Sequence, residues 1–335
     1  FVKLETDEGV TGWGEGTPWG HTYLPAHGPG IRAGVETMAK AVLGLDPRRL
    51  THVEQAMDLC LPGHLYAKAP IDLACWDILG KSTGRSIADC LGGCYPDGTP
   101  IASSISTDTP EGMVANIESW RTEGYFVHSV KVGADVEMDI QRIRRIEANR
   151  LPHERILYDV NRAWTRRQAL AVMNAVADLP VTFEQPGETL DDIAAIRPLT
   201  SGSISIDERL ETLGDMTRIA AESIAEVVNI KINRVGGLTK ARRIRDLALA
   251  HGFDIYVMAT GGSILADLEA AHLAQTIPTD RRLGVWSCQD MLDFDPAPQR
   301  PPRIRQGHLT IDDTAGLGVS PDENLLGEPV AVYAL

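Results

Sequence analysis

Three short apolar runs each end on an acid: Leu157-Tyr158-Asp159, Thr182-Phe183-Glu184 and Ser205-Ile206-Asp207. If these runs are neighbouring parallel strands, their carboxylates meet at one end of the sheet. Carboxylates brought together repel and raise one another's pKa values, so the arrangement calls for a cation. An all-oxygen ligand set suits Mg²⁺, or Mn²⁺ in its place, better than zinc. Any one of these acids, taken singly, reads more readily as a helix N-cap or a surface ion pair. The repetition over three successive runs carries the metal reading. Asn161, Glu208 and Arg209 lie just beyond the run ends. They either support the ligands from behind or sit in solvated loops.

Two lysines flank the acids. Lys131 ends Val127-His-Ser-Val-Lys, and Lys231 ends Val228-Asn-Ile-Lys. On parallel strands they face each other across the metal. A lysine desolvated beside a cation falls from a pKa of about 10.4 towards roughly 7 to 8, where it can act as a base, a change worth roughly 4 kcal/mol. The alternative is that each lysine neutralises the carboxylates as a structural ion pair. His128 is one residue out of phase with the Lys131 face and reads as structural, because side chains alternate along a strand.

These residues need a framework that brings strand ends together. From about Pro100 onwards, short β-branched runs alternate with longer amphipathic stretches, the pattern of βα units. Strand ends are expected near Ser106, Lys131, Asp159, Glu184, Asp207, Lys231, Met258 and Trp286, at intervals of 23 to 28 residues. Eight such units predict an α/β fold of the (β/α)8 TIM-barrel type. An open doubly wound sheet would be expected to carry a glycine-rich phosphate loop after its first strand, and Ser104-Ile105-Ser106-Thr107 is not one. Residues 1–99 read as a smaller α+β capping domain: a hairpin around Glu8-Gly9, a Gly/Pro-rich loop from Gly14 to Pro29, and helices near Ile31–Leu43 and Ala69–Thr83. The hairpin reads as already under way, so an earlier strand is expected before it. The barrel is placed at 100–295. The tail, 296–335, begins Pro-Ala-Pro-Gln-Arg-Pro-Pro and is expected to leave the barrel and return to the cap, with Gly316-Leu-Gly-Val packing there.

A net charge of -14 argues against nucleic acid or an anionic membrane as a partner, since either needs a basic face. Cys60, Cys75, Cys90, Cys94 and Cys288 are odd in number and lack CxxC spacing, so a reducing cytoplasm is expected. No apolar run approaches the roughly 20 residues of a membrane span. Phe1 to Gly16 lacks the regions of a secretory signal, and a soluble protein is expected.

Together the acids of strands three, four and five, the lysines of strands two and six, Asp-x-Asn at Asp159–Asn161 and Lys-x-Asn-x-x-Gly-Gly at Lys231–Gly237 resemble the muconate-lactonizing enzyme subgroup of the enolase superfamily. The resemblance spans nearly the whole chain. It implies that Asp159, Glu184 and Asp207 bind Mg²⁺, that Lys131 and Lys231 are the acid/base pair, and that a proton alpha to a carboxylate is removed through an enediolate. A homo-oligomer is also implied. The subgroup's usual Lys-x-Lys on strand two is here Ser129-Val130-Lys131, so the neighbouring charge that would help depress the Lys131 pKa is absent. A mandelate-racemase-type histidine is missing from the end of strand seven, which reads Met258-Ala-Thr-Gly-Gly-Ser263.

The Ser-x-Lys variant, the cap run Trp13–Tyr23 and Met-Ala-Thr-Gly-Gly-Ser are similar to the cis-3-hydroxy-L-proline dehydratases of that subgroup. That resemblance implies dehydration to Δ1-pyrroline-2-carboxylate, with 2-epimerisation as a competing outcome, and a small cyclic amino acid carboxylate as substrate. Ser129, Asn161, Asn233 and Thr260 are then expected beside the substrate, with Glu208 behind the ligands. Trp19, Tyr23 and Trp286 are candidates for an aromatic wall around the ring ammonium, or loop aromatics that simply pack. Asp290 either pairs with the ring nitrogen or is an ordinary solvated aspartate. The competing functions are an amino-acid or dipeptide epimerase, an acid-sugar dehydratase and a barrel that binds a carboxylate without turnover.

Overall fold

Eight β-branched and aliphatic runs form one all-parallel sheet whose strands neighbour one another in chain order. They are Ala102–Ile105, Val127–Lys131, Arg155–Asp159, Thr182–Glu184, Ser203–Ile206, Val227–Lys231, Asp254–Met258 and Arg282–Trp286, here called barrel strands one to eight. A parallel bridge between Ile101 and Val285 brings the two edges together and rolls the sheet into a near-closed barrel. The computed structural model describes residues 1–299 and 303–335. Arg300, Pro301 and Pro302, part of the proline-rich start of the tail, lie outside the described residues. Six strand ends fall where the spacing places them, while strands one and five stop one residue short of Ser106 and Asp207.

Side-chain alternation sorts each strand into an outer and an inner face. Val130, Tyr158, Phe183, Ile204, Val228, Ile230 and Val257 face outwards into the main core, against the surrounding helices. Ala102, Val127, Leu157, Val227, Tyr256 and Met258 form a separate apolar cluster with the inner-face residues. Two residues further along the same inner face, that plug gives way to polar side chains: Ser129 and then Lys131 on strand two, and Asp159 on strand three.

Seven helices return the chain from one strand to the next: Pro110–Thr122, Val136–Glu147, Arg166–Ala175, Leu190–Ile196, Leu213–Ala221, Leu238–Ala250 and Ile264–Ala274. Six begin at a side-chain cap, on Thr109, Asp135, Thr165, Thr189, Thr212 or Ser263. Each cap satisfies an N–H left orphaned at the helix start and so fixes where the loop after the strand must end. The expectation of eight complete βα units is corrected at the last one. Strand eight is followed, among the described residues, by a short 3₁₀ turn at Gln289–Met291 and then by the tail. Pro296 and Pro298 remove backbone donors and oppose a helix there.

Before the barrel come an antiparallel hairpin, Val2–Glu5 with Thr11–Gly14, and helices Gly28–Val42, Leu50–Cys60, Leu65–Thr83 and Ile87–Cys90. Leu50–Cys60 was not anticipated from the sequence. The hairpin lies so close to Leu65–Thr83 that a Cβ on Gly14 would stand 2.0 Å from the Pro70 carbonyl oxygen, so only glycine fits. In the tail, Ile304–Arg305 pairs with His308–Leu309, which in turn pairs with Thr99–Pro100, just ahead of strand one. Further on, Gly316 N–H donates to the Arg85 carbonyl (2.8 Å), and Leu317 N–H donates to Asp77 Oδ1 (2.8 Å) on helix Leu65–Thr83. Among the described residues no helix is long and apolar enough to cross a membrane.

Candidate active site

The strand register sets the acids side by side. Lys131 pairs with Asp159, Asp159 with Glu184, and Glu184 with Ser205, one rung across strands two to five. Asp207 lies two residues beyond Ser205 and one past the end of strand five. All three carboxylates are buried. Lys131 Nζ donates to Asp159 Oδ2 and, at 2.9 Å, to Asn161 Oδ1. Lys231 Nζ donates to Asp207 Oδ2 (2.8 Å), and Arg234 Nη1 donates to Asp207 Oδ1 (2.7 Å). Glu184, between the two aspartates, has no cationic side chain within salt-bridge distance among the described residues; Asn229 Nδ2 donates to its Oε1 at 2.7 Å.

The electrostatics follow from this unequal pairing. Burial and then the charges of Asp159 and Asp207 push the Glu184 carboxyl well above its ordinary pKa. Burial also opposes the Asp207 charge, but Arg234 and Lys231 outweigh it and hold that carboxyl well below the usual carboxylate range. For Lys231 the sequence expectation concerns a lysine beside a cation; beside its paired carboxylate the balance is different. Burial alone would lower its pKa, yet Asp207, Tyr23 and Glu184 raise it well above the ordinary lysine value. Its paired carboxylate wins, so Lys231 can serve as a base only once Asp207 is engaged elsewhere.

A divalent cation fits this donor set: three buried carboxylates on neighbouring strand ends, one of them destabilised by the other two. The side chains are not already gathered into a cage, since among the described residues no three acidic, histidine or cysteine side chains are poised together as metal ligands. Asp159 is turned to Lys131, and Asp207 to Lys231 and Arg234.

Most of the other expected site residues gather here too. Ser129 is buried on the Lys131 face of strand two. Asn161 Nδ2 donates to Glu208 Oε1 (3.2 Å), which joins the buried Glu208 to the cluster. Trp19 and Trp286 come together, ring centroids 5.1 Å apart. Thr260 is buried, its hydroxyl beside the Tyr66 phenol without a well-formed hydrogen bond. Tyr23 lies directly against the acid and lysine cluster. Its phenol oxygen accepts from Lys231 Nζ (2.9 Å), its hydroxyl donates to Asp207 Oδ2 (3.0 Å), and Lys231 Nζ also lies 5.0 Å from its ring centre.

Asn233 departs from expectation. Its Oδ1 accepts from Thr17 N–H (3.0 Å) and its Nδ2 donates to Glu269 Oε2 (3.2 Å), so both ends of the amide are committed to buried protein groups. Asn233 therefore anchors the cap loop. Asp290 is exposed in the 3₁₀ turn after strand eight, and no hydrogen bond or ion pair among the described residues ties it to the cluster. Arg209 turns to Glu188, and His128 is buried with Ser103 (2.7 Å) and Glu154 (3.4 Å) on the outer side of strand two.

Sequence reasoning missed Asn229, Arg234 and Gln185. Arg234 carried a usable signal: an arginine in the alternating apolar and polar run Val228–Val235 has to find an acid if buried. Asn229 had a weaker one, since it shares the Lys231 face by alternation. Gln185 had none, because its role depends on a backbone turn.

The fold and site define a class: a parallel barrel carrying three acids on strands three, four and five between lysines of strands two and six, under a loop from an α+β cap. Residues 112–325 match the "Enolase C-terminal domain-like" family, and residues 1–92 match the "Mandelate racemase / muconate lactonizing enzyme, N-terminal domain" family. The chain belongs to the enolase superfamily. It is 38% identical over 333 residues to a cis-3-hydroxy-L-proline dehydratase of Roseibium aggregatum, covering 99% of this chain and 90% of that one. It is 30% identical over 278 residues to an N-succinyl-L-Arg/Lys racemase of Bacillus cereus, covering 82% of this chain and 75% of that one. Among solved structures, a mandelate racemase/muconate lactonizing enzyme homologue from Silicibacter pomeroyi superposes with a TM-score of 0.98 at 64% identity, covering 100% of this chain and 92% of that one. A superfamily member from Roseovarius nubinhibens complexed with magnesium gives a TM-score of 0.97 at 47% identity, over 99% of this chain and 91% of that one.

Proposed function

We propose that the chain dehydrates cis-3-hydroxy-L-proline to Δ1-pyrroline-2-carboxylate in a Mg²⁺-dependent reaction, with 2-epimerisation as a competing outcome. The observation that carries this reading is the placement of the two lysines. Each ammonium is bonded to a different outer member of the acid trio, Lys131 to Asp159 and Lys231 to Asp207, so that they flank Glu184 from opposite sides. The likeness to the Roseibium dehydratase over 99% of this chain supports the choice of substrate.

Asp159, Glu184 and Asp207 would hold the ion, with Asn161 and Asn229 orienting the first two. When bound, a divalent ion would stabilise the negative charge that develops on the substrate carboxylate as the α-proton leaves. One lysine takes the C2 proton. The other, as an ammonium on the far side, gives a proton to the departing 3-hydroxyl, so the substrate loses one water. The resulting enamine tautomerises to the cyclic imine. If the second lysine instead returns a proton to C2 from its own side, the product is the 2-epimer. Trp19 and Trp286, whose tilted rings meet at 5.1 Å beside strand eight, would cover one flank of the substrate.

Epimerisation of an amino-acid derivative is the second reading, favoured by the likeness to the Bacillus racemase and by the same pair of lysines. Incubation of cis-3-hydroxy-L-proline with the protein and Mg²⁺ in D₂O, followed by proton NMR, separates the two. Cyclic imine formation is expected. Deuterium at C2 without loss of water would move the assignment to epimerisation, and no reaction on this or related proline analogues would end the substrate proposal.

A further inference from the structure

Six non-glycine residues among those described have positive φ, and three of them crowd the barrel mouth: Asn161 (46°), Arg162 (67°) and Gln185 (44°). Gln185 follows directly on Glu184, and Asn161 and Arg162 come two and three residues after Asp159. A left-handed backbone disfavours residues that carry a Cβ, and persists where the surroundings over-determine it. At Gln185 the following Pro186 narrows the choices further. The surroundings supply five hydrogen bonds to this one buried residue.

Their pattern shows what the turn does. Gln185 N–H donates to the Ser205 carbonyl (2.9 Å), the last regular bond between strands four and five. In a continuing parallel ladder the Gln185 carbonyl would next accept from Asp207 N–H. Instead the left-handed turn sends that carbonyl to Arg162 N–H (3.0 Å), on the strand-three side. The Gln185 side chain takes over the missing rung: Oε1 accepts from Asp207 N–H (3.1 Å) and Arg209 N–H (3.3 Å), while Nε2 donates to the Gly187 carbonyl (3.0 Å) and locks the amide. One residue thus ties together the loops that follow Asp159, Glu184 and Asp207.

We propose that Gln185 is the positioning residue for the acid trio, its side-chain amide standing in for a backbone rung so that Asp207 is presented beside Glu184 just past the end of strand five. The part of this that concerns the ion rests on the reading of the trio as its ligands. Gln185 touches neither ion nor substrate in this account, and acts through the Asp207 backbone.

The test uses the full chain and three variants. Gln185→Met keeps the length and removes the acceptor, Gln185→Gly removes the side chain and the backbone strain together, and Gln185→Glu retains Oε1. Mn²⁺ binding without substrate is titrated by electron paramagnetic resonance, and amide exchange at Asp207 and Arg209 is followed alongside kcat and KM. The Met and Gly variants are expected to bind Mn²⁺ about 10- to 100-fold more weakly, the range typical of outer partners of metal ligands. Both should exchange the two amides faster, with Gln185→Glu restoring protection and binding to within a few-fold. Because Gln185→Gly is free of the φ penalty, a loss of binding in that variant separates positioning from strain. A folded Met or Gly variant with unchanged Mn²⁺ affinity and unchanged exchange overturns the proposal. If the unsubstituted chain takes up no Mn²⁺, the metal reading falls instead, and amide exchange alone decides the role of Gln185.

Discussion

The buried aspartates at the seam between cap and tail and those at the barrel mouth are held by different sets of partners. At the seam joining cap, buried helix Ile264–Ala274 and tail, fixed backbone donors hold them, with the Lys81 ammonium added on Asp77 Oδ2 (2.7 Å) and the Ser287 hydroxyl on Asp267 Oδ2 (2.5 Å). Asp77 accepts from Trp13 N–H (3.0 Å) and Leu317 N–H (2.8 Å), and Asp267 from Cys288 N–H (2.9 Å) and Gln289 N–H (3.0 Å). At the barrel mouth, Asp159 and Asp207 rely chiefly on the side-chain cations Lys131, Lys231 and Arg234, and Glu184 on an amide. Backbone donors cannot leave without unfolding the element that carries them. Lysine ammoniums on flexible stems can change partners within a rigid barrel. The seam is thus built for permanence and the mouth for exchange.

The largest test of that contrast is on the lysines. Lys131→Ala and Lys231→Ala are each expected to slow exchange of the substrate α-proton by about 10²- to 10⁴-fold, the usual share of a general acid or base, with thermal unfolding little changed. NMR in D₂O reads the exchange and circular dichroism the stability. If neither substitution slowed exchange while the metal stayed bound, the lysines would be structural ion pairs, as Lys81 is with Asp77 at the seam.

Next in size is an acid effect confined to the seam. His272 accepts at Nδ1 from Ala88 N–H (3.2 Å) and its Nε2 donates to the Leu317 carbonyl (3.1 Å), and burial takes its pKa down to about 4. A histidine lowered on folding lends stability that is complete above its unfolded pKa of about 6.5 and is lost as pH falls through the folded value, roughly 3 kcal/mol over that window. Asp72 and Asp267, pushed up to about 6 by burial, tilt the opposite way. The difference between the unsubstituted chain and His272→Gln, from unfolding midpoints taken between pH 7 and 4, isolates the histidine. A constant difference across that range would show that His272 does not titrate in the seam.

The smallest stability effect runs opposite in sign to its effect on activity. Since burial and two neighbouring carboxylates destabilise the Glu184 charge, Glu184→Gln is expected to raise the melting temperature of the metal-free chain at pH 7 while abolishing turnover. Mg²⁺ at about 100 times its Kd should stabilise the unsubstituted chain by about 2.7 kcal/mol, and the variant by much less. Equal stabilisation of both by Mg²⁺ would place the ion away from Glu184.

The sequence was most readable where one periodicity governs. Alternation along strands two and six put Lys131 and Lys231 on the inner face and His128 on the outer, and recurrence at 23 to 28 residues located six of eight strand ends to the residue. It was least readable where a contact joins distant segments. Nothing local to Asn233 shows that its amide is committed to Thr17 and Glu269, and nothing local to Tyr23 shows that its phenol lies against Lys231. The same holds for Asp290, whose neighbours depend on the course taken after strand eight. The eighth helix was expected by extension of a repeat that Pro296 and Pro298 interrupt.

By itself the chain of residue types determined that acids and lysines end successive apolar strands, because hydrophobic alternation is local and survives without any knowledge of the fold. Only the tertiary structure decided which cation each acid holds, which amide stands in for a missing rung, and that Lys231 sits under Asp207's control. Those outcomes depend on distances between strands and loops far apart in sequence, and electrostatic and hydrogen-bond energies fall steeply over a few ångströms that no spacing rule can fix.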